Sequence, residues 1–274
     1  MASEYKRYAR ALWLLAMLCA CCALSGCRRN TAGGVNVMGS TSIQPFAEVL
    51  ADEFNSRHPS SRIDVQGGGS TMGIQSVTNN LAQIAMCSRE LKSSESRYLK
   101  PIIIALDGMA VVVHKDNTVS NLTREQVREM FVGNITNWSQ VGGEDRPIRL
   151  ITREEGSGTR EAFAKLVMNN QRVSRKALTQ ESNGAVKELV RGDRAAIGYM
   201  SLGLVNDEAK IVNIEGIVPS TDNVRNGSYP LVRPFLFVVR MGAVLSPAAK
   251  EFLEFVLSPQ GQHLLVEEGL VSVL

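Results

Sequence analysis

Three stretches of this 274-residue chain set glycines and hydroxyl side chains between a short β-like run and a helical pattern. They are Gly39-Ser40-Thr41-Ser42, Gly67-Gly68-Gly69-Ser70-Thr71 and Gly156-Ser157-Gly158-Thr159-Arg160. A helix start presents unpaired backbone N–H groups and a partial positive charge, so it suits an anion. Glycine lets the backbone approach a ligand closely, and Ser or Thr caps the helix or donates a hydroxyl hydrogen bond. One such junction is common in strand–helix chains and says little by itself. Three with the same chemistry point to convergence on one small oxyanion.

The rest of the chain alternates in the same way. Val35–Met38, Arg62–Gln66, Ile84–Met86, Arg149–Thr152, Ala195–Tyr199 and Ile211–Ile214 read as strands. Helical spacing follows in Phe46, Val49, Leu50 and Phe54, around Met72–Asn80, over Thr159–Met168 and over Gly184–Val190. Thr123-Arg124-Glu125-Gln126 is a capping box that opens a helix to Phe131, and Ala248–Leu257 is amphipathic. This alternation predicts an α/β fold with parallel sheets covered by helices. Met109–Val113 and Phe235–Val239 are the most continuous apolar strands, each beside a loop-like break, Asp107-Gly108 and Tyr229–Pro234. Two crossings between lobes would enclose a ligand cleft, and two buried core strands of one domain would read the same way.

The first residues bear on location. Lys6, Arg7 and Arg10 precede an apolar stretch, Ala11–Leu24, that is too short and wrongly flanked for an ordinary membrane span. It ends at Leu24-Ser25-Gly26-Cys27, which resembles the lipobox of bacterial lipoproteins, where the cysteine is lipidated and becomes the mature terminus. Acyl chains on Cys27 would tether an exported protein to a membrane without a spanning helix. Cys19, Cys21 and Cys22 fall in the removed segment, so Cys87 alone remains and neither an internal disulfide nor a cysteine metal site is expected. The net charge of +3 loses Lys6, Arg7, Arg10 and Glu4 with the leader, leaving about +1. Such a near-neutral surface argues against a nucleic-acid partner.

Several of these segments, taken together, resemble the phosphate-binding lipoproteins of the PstS family, the extracytoplasmic receptors of phosphate ABC importers. They are Gly39–Phe46, Asp64–Ser70, Met86–Leu91, Ile104–Gly108, Ile135–Gly143, Arg153–Arg160 and Leu257–Gln262, in the family's order. The resemblance implies a two-lobed type II periplasmic-binding-protein fold with two crossover strands and a cleft between lobes. Its expected organisation is a signal peptide over 1–26, a lipidated terminus and spacer over 27–34, lobe 1 over 35–110 and 233–274, and lobe 2 over 111–232. It implies inorganic phosphate as ligand, held by Thr41, Ser42, Ser70, Ser88, Asp107, Arg153, Ser157, Gly158 and Thr159. A guanidinium at Arg153 would match two phosphate oxygens as a fork. It also implies ABC permease subunits with their ATPase as partners, a monomer, an anchor at the extracytoplasmic face of the cell membrane, and no cofactor.

One departure stands out. Longer family members end the third strand in Ser-Asp, and that aspartate accepts the proton of hydrogen phosphate; here the place reads Cys87-Ser88-Arg89. Arg89 either adds a second charge or forms a surface pair. The acceptor is either Asp107 or another group such as Glu154 or Glu155, and Asp107 reads equally as a turn cap. An acid facing fully ionised sulfate would be left unpaired and repelled, so its absence puts selectivity for phosphate in doubt. Ser70, Ser157 and Arg153 also have plain structural readings, as helix caps and a surface charge. A surface lipoprotein for adhesion or sensing is the alternative function. An exported hydrolase fits poorly: Ser70 and Ser157 do not form G-x-S-x-G, and His58, His114 and His263 do not cluster in the sequence. Trp138, beside turn glycines, is expected to pack in the second lobe.

Overall fold

A computed structural model describes residues 34–274. The leader, Cys27 and the spacer up to residue 33 lie outside the described residues. Each of the first two junctions links a strand to a helix: β1 (Val35–Gly39) to α1 (Gln44–Arg57), and β2 (Ile63–Gly67) to α2 (Ser70–Thr78). β3 (Ile84–Cys87) and the long β4 (Leu99–His114) follow. Then come β5 (Asn121–Leu122), α3 (Arg124–Val132), β6 (Arg149–Arg153), α4 (Gly158–Leu166), β7 (Leu178–Gln180) and α5 (Asn183–Gly192). The chain ends with β8 (Ala196–Ser201), β9 (Ala209–Ile214), α6 (Thr221–Arg225), β10 (Val232–Arg240), α7 (Pro247–Leu257) and α8 (Pro259–Glu267).

The strands hydrogen-bond in the order β2-β1-β3-β10-β4-β8-β6-β7, with β9 beside β4 and β5. β1 pairs parallel with β2 and β3, and β6 pairs parallel with β7 and β8. The expectation of parallel sheets throughout is corrected at the centre. β10 enters the first half of the sheet against β3 and β4, and the second half of β4 runs against β8 and β9.

Alternate residues of the strands face opposite sides, and this sorts the core into four clusters. Val35, Val37, Ile84, Met86 and Phe237 pack on α1 and α7, while Ala85, Cys87, Leu236 and Val238 pack on α2. In the other half, Met109, Val111, Val113, Ile197 and Tyr199 pack with Phe131, Trp138 and Phe163. Ala110, Val112, Ala196 and Met200 face Val186 and Val190 of α5. Trp138 is buried and its indole N–H donates to the Ala195 carbonyl at 3.0 Å.

The break expected at Asp107-Gly108 is not one: β4 runs through it without interruption, pairing first with β10 and then with β8 and β9. Gly108 is small for a packing reason, since a Cβ there would come within 2.9 Å of both Leu202 and Val224. The other expected break, Tyr229–Pro234, is shorter than read, because β10 already begins at Val232. β4 is thus the strand common to both halves of the sheet, and β10 runs beside its first half, from Gly108 back to Leu99.

Candidate functional site

The carboxyl ends of β1, β2 and β6 each lead into one of the three glycine–hydroxyl junctions, and the helices α1, α2 and α4 start beside them. In open α/β sheets this is where ligands bind. Gly69 caps α2 at φ +91°, a conformation that a Cβ disfavours, and its N–H donates to the Gly39 carbonyl at 2.9 Å. This ties the second junction to the first. The third junction meets the second directly: Thr71 N–H donates to the Gly156 carbonyl at 3.0 Å. The start of α4 lies so close that a methyl on Gly158 would collide with Ser70 Oγ and sit 2.6 Å from Ser88 Oγ.

The hydroxyls between them form one network. Ser42 Oγ lies 2.7 Å from Thr159 Oγ1, and Ser42 N–H donates to Ser40 Oγ at 3.2 Å. Ser40 Oγ donates to Ser88 Oγ at 2.8 Å, and Ser88 N–H donates to Ser70 Oγ at 3.1 Å. Ser157 caps α4 by accepting the Arg160 N–H at 3.3 Å. Ser42, Ser70, Ser88, Ser157 and Thr159 are all buried, and Thr41 is half-buried. A hydroxyl that accepts one bond still has its own proton to donate. The cluster is therefore rich in donors.

Arg153 is its cation. The side chain is only 1% exposed, a burial rarely seen for arginine unless paired. Glu154 grips its outer edge, accepting from Nε at 3.0 Å and from Nη2 at 3.1 Å. The carbonyls of Gln180 and Glu181 accept from Nε and Nη2, and Thr41 Oγ1 accepts from Nη2 at 3.0 Å. Nη1 is buried with no partner at all. An orphan guanidinium nitrogen is costly to bury, so an acceptor delivered from outside the protein is the natural complement. The backbone of Arg153 is fixed as well, its N–H donating to the Tyr199 hydroxyl at 3.3 Å. Tyr199 stacks on Phe163 at 3.9 Å and also touches Phe131, and burial raises its phenol above the ordinary value.

Asp107 sits deeper. Its Oδ1 accepts from Ser201 Oγ at 2.7 Å and its Oδ2 from Arg233 Nε at 2.9 Å. Burial pushes its carboxyl above the usual range, and Arg233 and Ser201 oppose that. It is joined to the hydroxyl network through these partners and not by a direct bond to Thr41, Ser42, Ser70 or Ser88. Glu154 is engaged by Arg153, and Glu155 is exposed. Arg89 is neither a surface pair nor a member of the hydroxyl network. It is buried against Glu95 at 2.8 and 2.9 Å and reaches Glu161 of α4 at 3.1 Å.

Two members were not anticipated. Asn183, at the start of α5, is 2% exposed; its Nδ2 donates to Ser42 Oγ at 2.8 Å and its Oδ1 accepts from Ser201 N–H at 3.2 Å. The signal was present, because Ser182-Asn183-Gly184 is a fourth polar helix start, capped by Ser182. Arg233 had a subtler signal, a lone arginine at the head of an apolar strand. The described residues hold no cluster of His, Cys, Asp and Glu that could bind a metal, and no helix long and apolar enough to cross a membrane.

Comparison with known proteins gives the family and the fold. Residues 28–260 match the model of the PBP superfamily domain. The chain is similar to the phosphate-binding protein PstS of Bacillus subtilis, 30% identical over 89% of this chain and 82% of the relative. It is similar in structure to a substrate-binding protein from Clostridium perfringens solved with bound phosphate, at 37% identity and a TM-score of 0.85 over 88% of this chain and 100% of the other. An ABC-type phosphate transport receptor from Vibrio cholerae gives 40% identity and a TM-score of 0.75 over 86% and 99%.

Proposed function

This chain belongs to the PBP superfamily and, within it, to the PstS phosphate-binding proteins, and from that premise we propose that it is an extracytoplasmic receptor that binds inorganic phosphate and delivers it to an ABC permease. The observation that carries the reading is the buried Arg153, which reaches Thr41 of the first junction through Nη2 and keeps Nη1 without a partner. Phosphate has the matching chemistry: it is anionic, tetrahedral and rich in acceptors. Arg153 Nη1 supplies the charge-assisted donors. Thr41, Ser42, Ser70, Ser88, Ser157 and Thr159 supply hydroxyls, Gly158 supplies a backbone N–H at a helix start, and the Ser42 N–H joins it by exchanging Ser40 Oγ for the ligand. Asp107 enters through Ser201 and Arg233, which it holds. No step makes or breaks a covalent bond, so the protein acts as a receptor and not as an enzyme.

The two halves of the sheet act as lobes, 35–110 with 233–274 against 111–232, and the cleft between them holds the ligand. Contacts across this division support the reading: Ser42 to Thr159 and Asn183, Thr41 to Arg153, and Arg89 to Glu161. They draw the lobes together around a small ligand, and β4 and β10 supply the hinge. The signal peptide over 1–26 and a lipid on Cys27 keep the monomer at the outer face of the membrane, within reach of the permease.

Phosphate uptake by cells tests this. Deleting the gene is expected to abolish high-affinity uptake of labelled phosphate, and the wild-type gene to restore it. Unchanged uptake, with phosphate still bound by the purified protein, would favour a sensing role.

A further inference from the structure

Arg233 is 2% exposed and lies directly opposite Asp107 in the register of β4 and β10. Its Nε donates to Asp107 Oδ2 at 2.9 Å, and its Nη1 reaches the Ser88 carbonyl at 3.4 Å. Its Nη2 lies 2.9 Å from the same Oδ2, yet off the line of an N–H bond, and has no hydrogen-bond partner. Arg153 presents the same pattern. Each guanidinium is gripped by a carboxylate, Glu154 or Asp107, and each keeps a buried nitrogen that makes no hydrogen bond, Nη1 of Arg153 and Nη2 of Arg233, the latter beside Asp107 Oδ2.

Both orphan nitrogens belong to the residues that frame the hydroxyl cluster. Ser88, whose carbonyl Arg233 touches, has its hydroxyl bonded to Ser40 and close to Ser70, and lies against Gly158. Asp107, which Arg233 pairs, leads through Ser201 and Asn183 to Ser42. We propose that Arg233 is a second arginine of the anion site, donating from Nη2 to a ligand oxygen on the Ser88 side, and that Asp107 is a positioning residue that orients it. This rests on the phosphate reading given above.

The electrostatics agree with that geometry. Burial presses the Arg233 guanidinium below its ordinary value and the positive charge of Arg153 adds to the pressure, while Asp107 counters it. Two buried guanidinium groups that feel each other's charge are relieved by an anion placed between them. A purely structural ion pair between β4 and β10 would not need the approach to Arg153. Arg89 differs in that its charge is already balanced by two carboxylates, Glu95 and Glu161.

The test is phosphate calorimetry on the full-length protein and two variants, each checked for folding by circular dichroism. Arg233→Lys keeps a positive charge near Asp107 but loses the fork, and is expected to weaken phosphate binding about 10-fold or more. Arg233→Met with Asp107→Leu removes the pair together, so that no unpaired charge is left buried and the fold is retained. A loss of about 10- to 100-fold in that folded double variant is the expected result. Phosphate binding within threefold of the parent in the double variant would overturn the proposal while leaving the phosphate reading intact. A parent protein that binds no phosphate would instead overturn the phosphate reading on which it rests.

Discussion

Arg153→Ala is the perturbation with the largest expected effect. The guanidinium gives Nε and Nη2 to Glu154, Thr41 and two backbone carbonyls, so Nη1 is the nitrogen left for a ligand. Nη1 carries two N–H groups, and a hydrogen bond to a charged partner is worth about 1.5–3 kcal/mol. Losing both costs about 3–6 kcal/mol, which is roughly two to four orders of magnitude in Kd. The substitution also frees Glu154, whose carboxylate then faces the site without its counter-ion and adds repulsion toward an anion. Isothermal titration with phosphate measures the loss, and circular dichroism separates it from unfolding. A folded variant that binds phosphate within threefold of the parent would refute the assignment of Nη1 to the ligand.

Gly158→Ala places a methyl against the buried hydroxyls of Ser70 and Ser88. Overpacking there is expected to cost about 1–3 kcal/mol of stability, lowering the melting temperature, and to weaken phosphate binding as well; an unchanged melting temperature and equal affinity would show that the contact has room to relax. Burial alone would raise the Glu95 carboxyl, but hydrogen bonds from Arg89 and the Lys92 N–H hold it below the usual range. A lowered folded-state value means that the stabilisation is present above the unfolded value near 4.5 and is lost as pH falls through the folded one. Glu95→Gln should therefore flatten the acid limb of a melting-temperature profile, and an unchanged limb would contradict this. Cys27→Ala is expected to abolish incorporation of labelled acyl chain, and persistent labelling would place the anchor elsewhere.

Local features carried much of the site in the sequence. The three junctions were legible because glycine, hydroxyl and helix start are neighbours in the chain, and Arg153 stands three residues before Gly156, where the turn into α4 begins. The capping box at Thr123–Gln126 was legible for the same reason and forms as read. What was hidden depends on distant partners. The continuity of β4 through Gly108 follows from Leu202 and Val224, which fill the space a side chain would need. The antiparallel centre of the sheet follows from how β10 and β4 meet β3, β8 and β9, which no local periodicity encodes. Arg233 looked like part of a loop because its partner Asp107 lies 126 residues away. Arg89 reads as a second charge or a surface pair because its burial depends on distant packing, including Glu161 on α4, although Glu95 stands only six residues on.

The central claim, that the junctions form one phosphate site, is tested most directly by titrating the purified protein with inorganic phosphate in a calorimeter. Saturable binding of one phosphate per chain is predicted, and an absence of binding by a folded protein would contradict it.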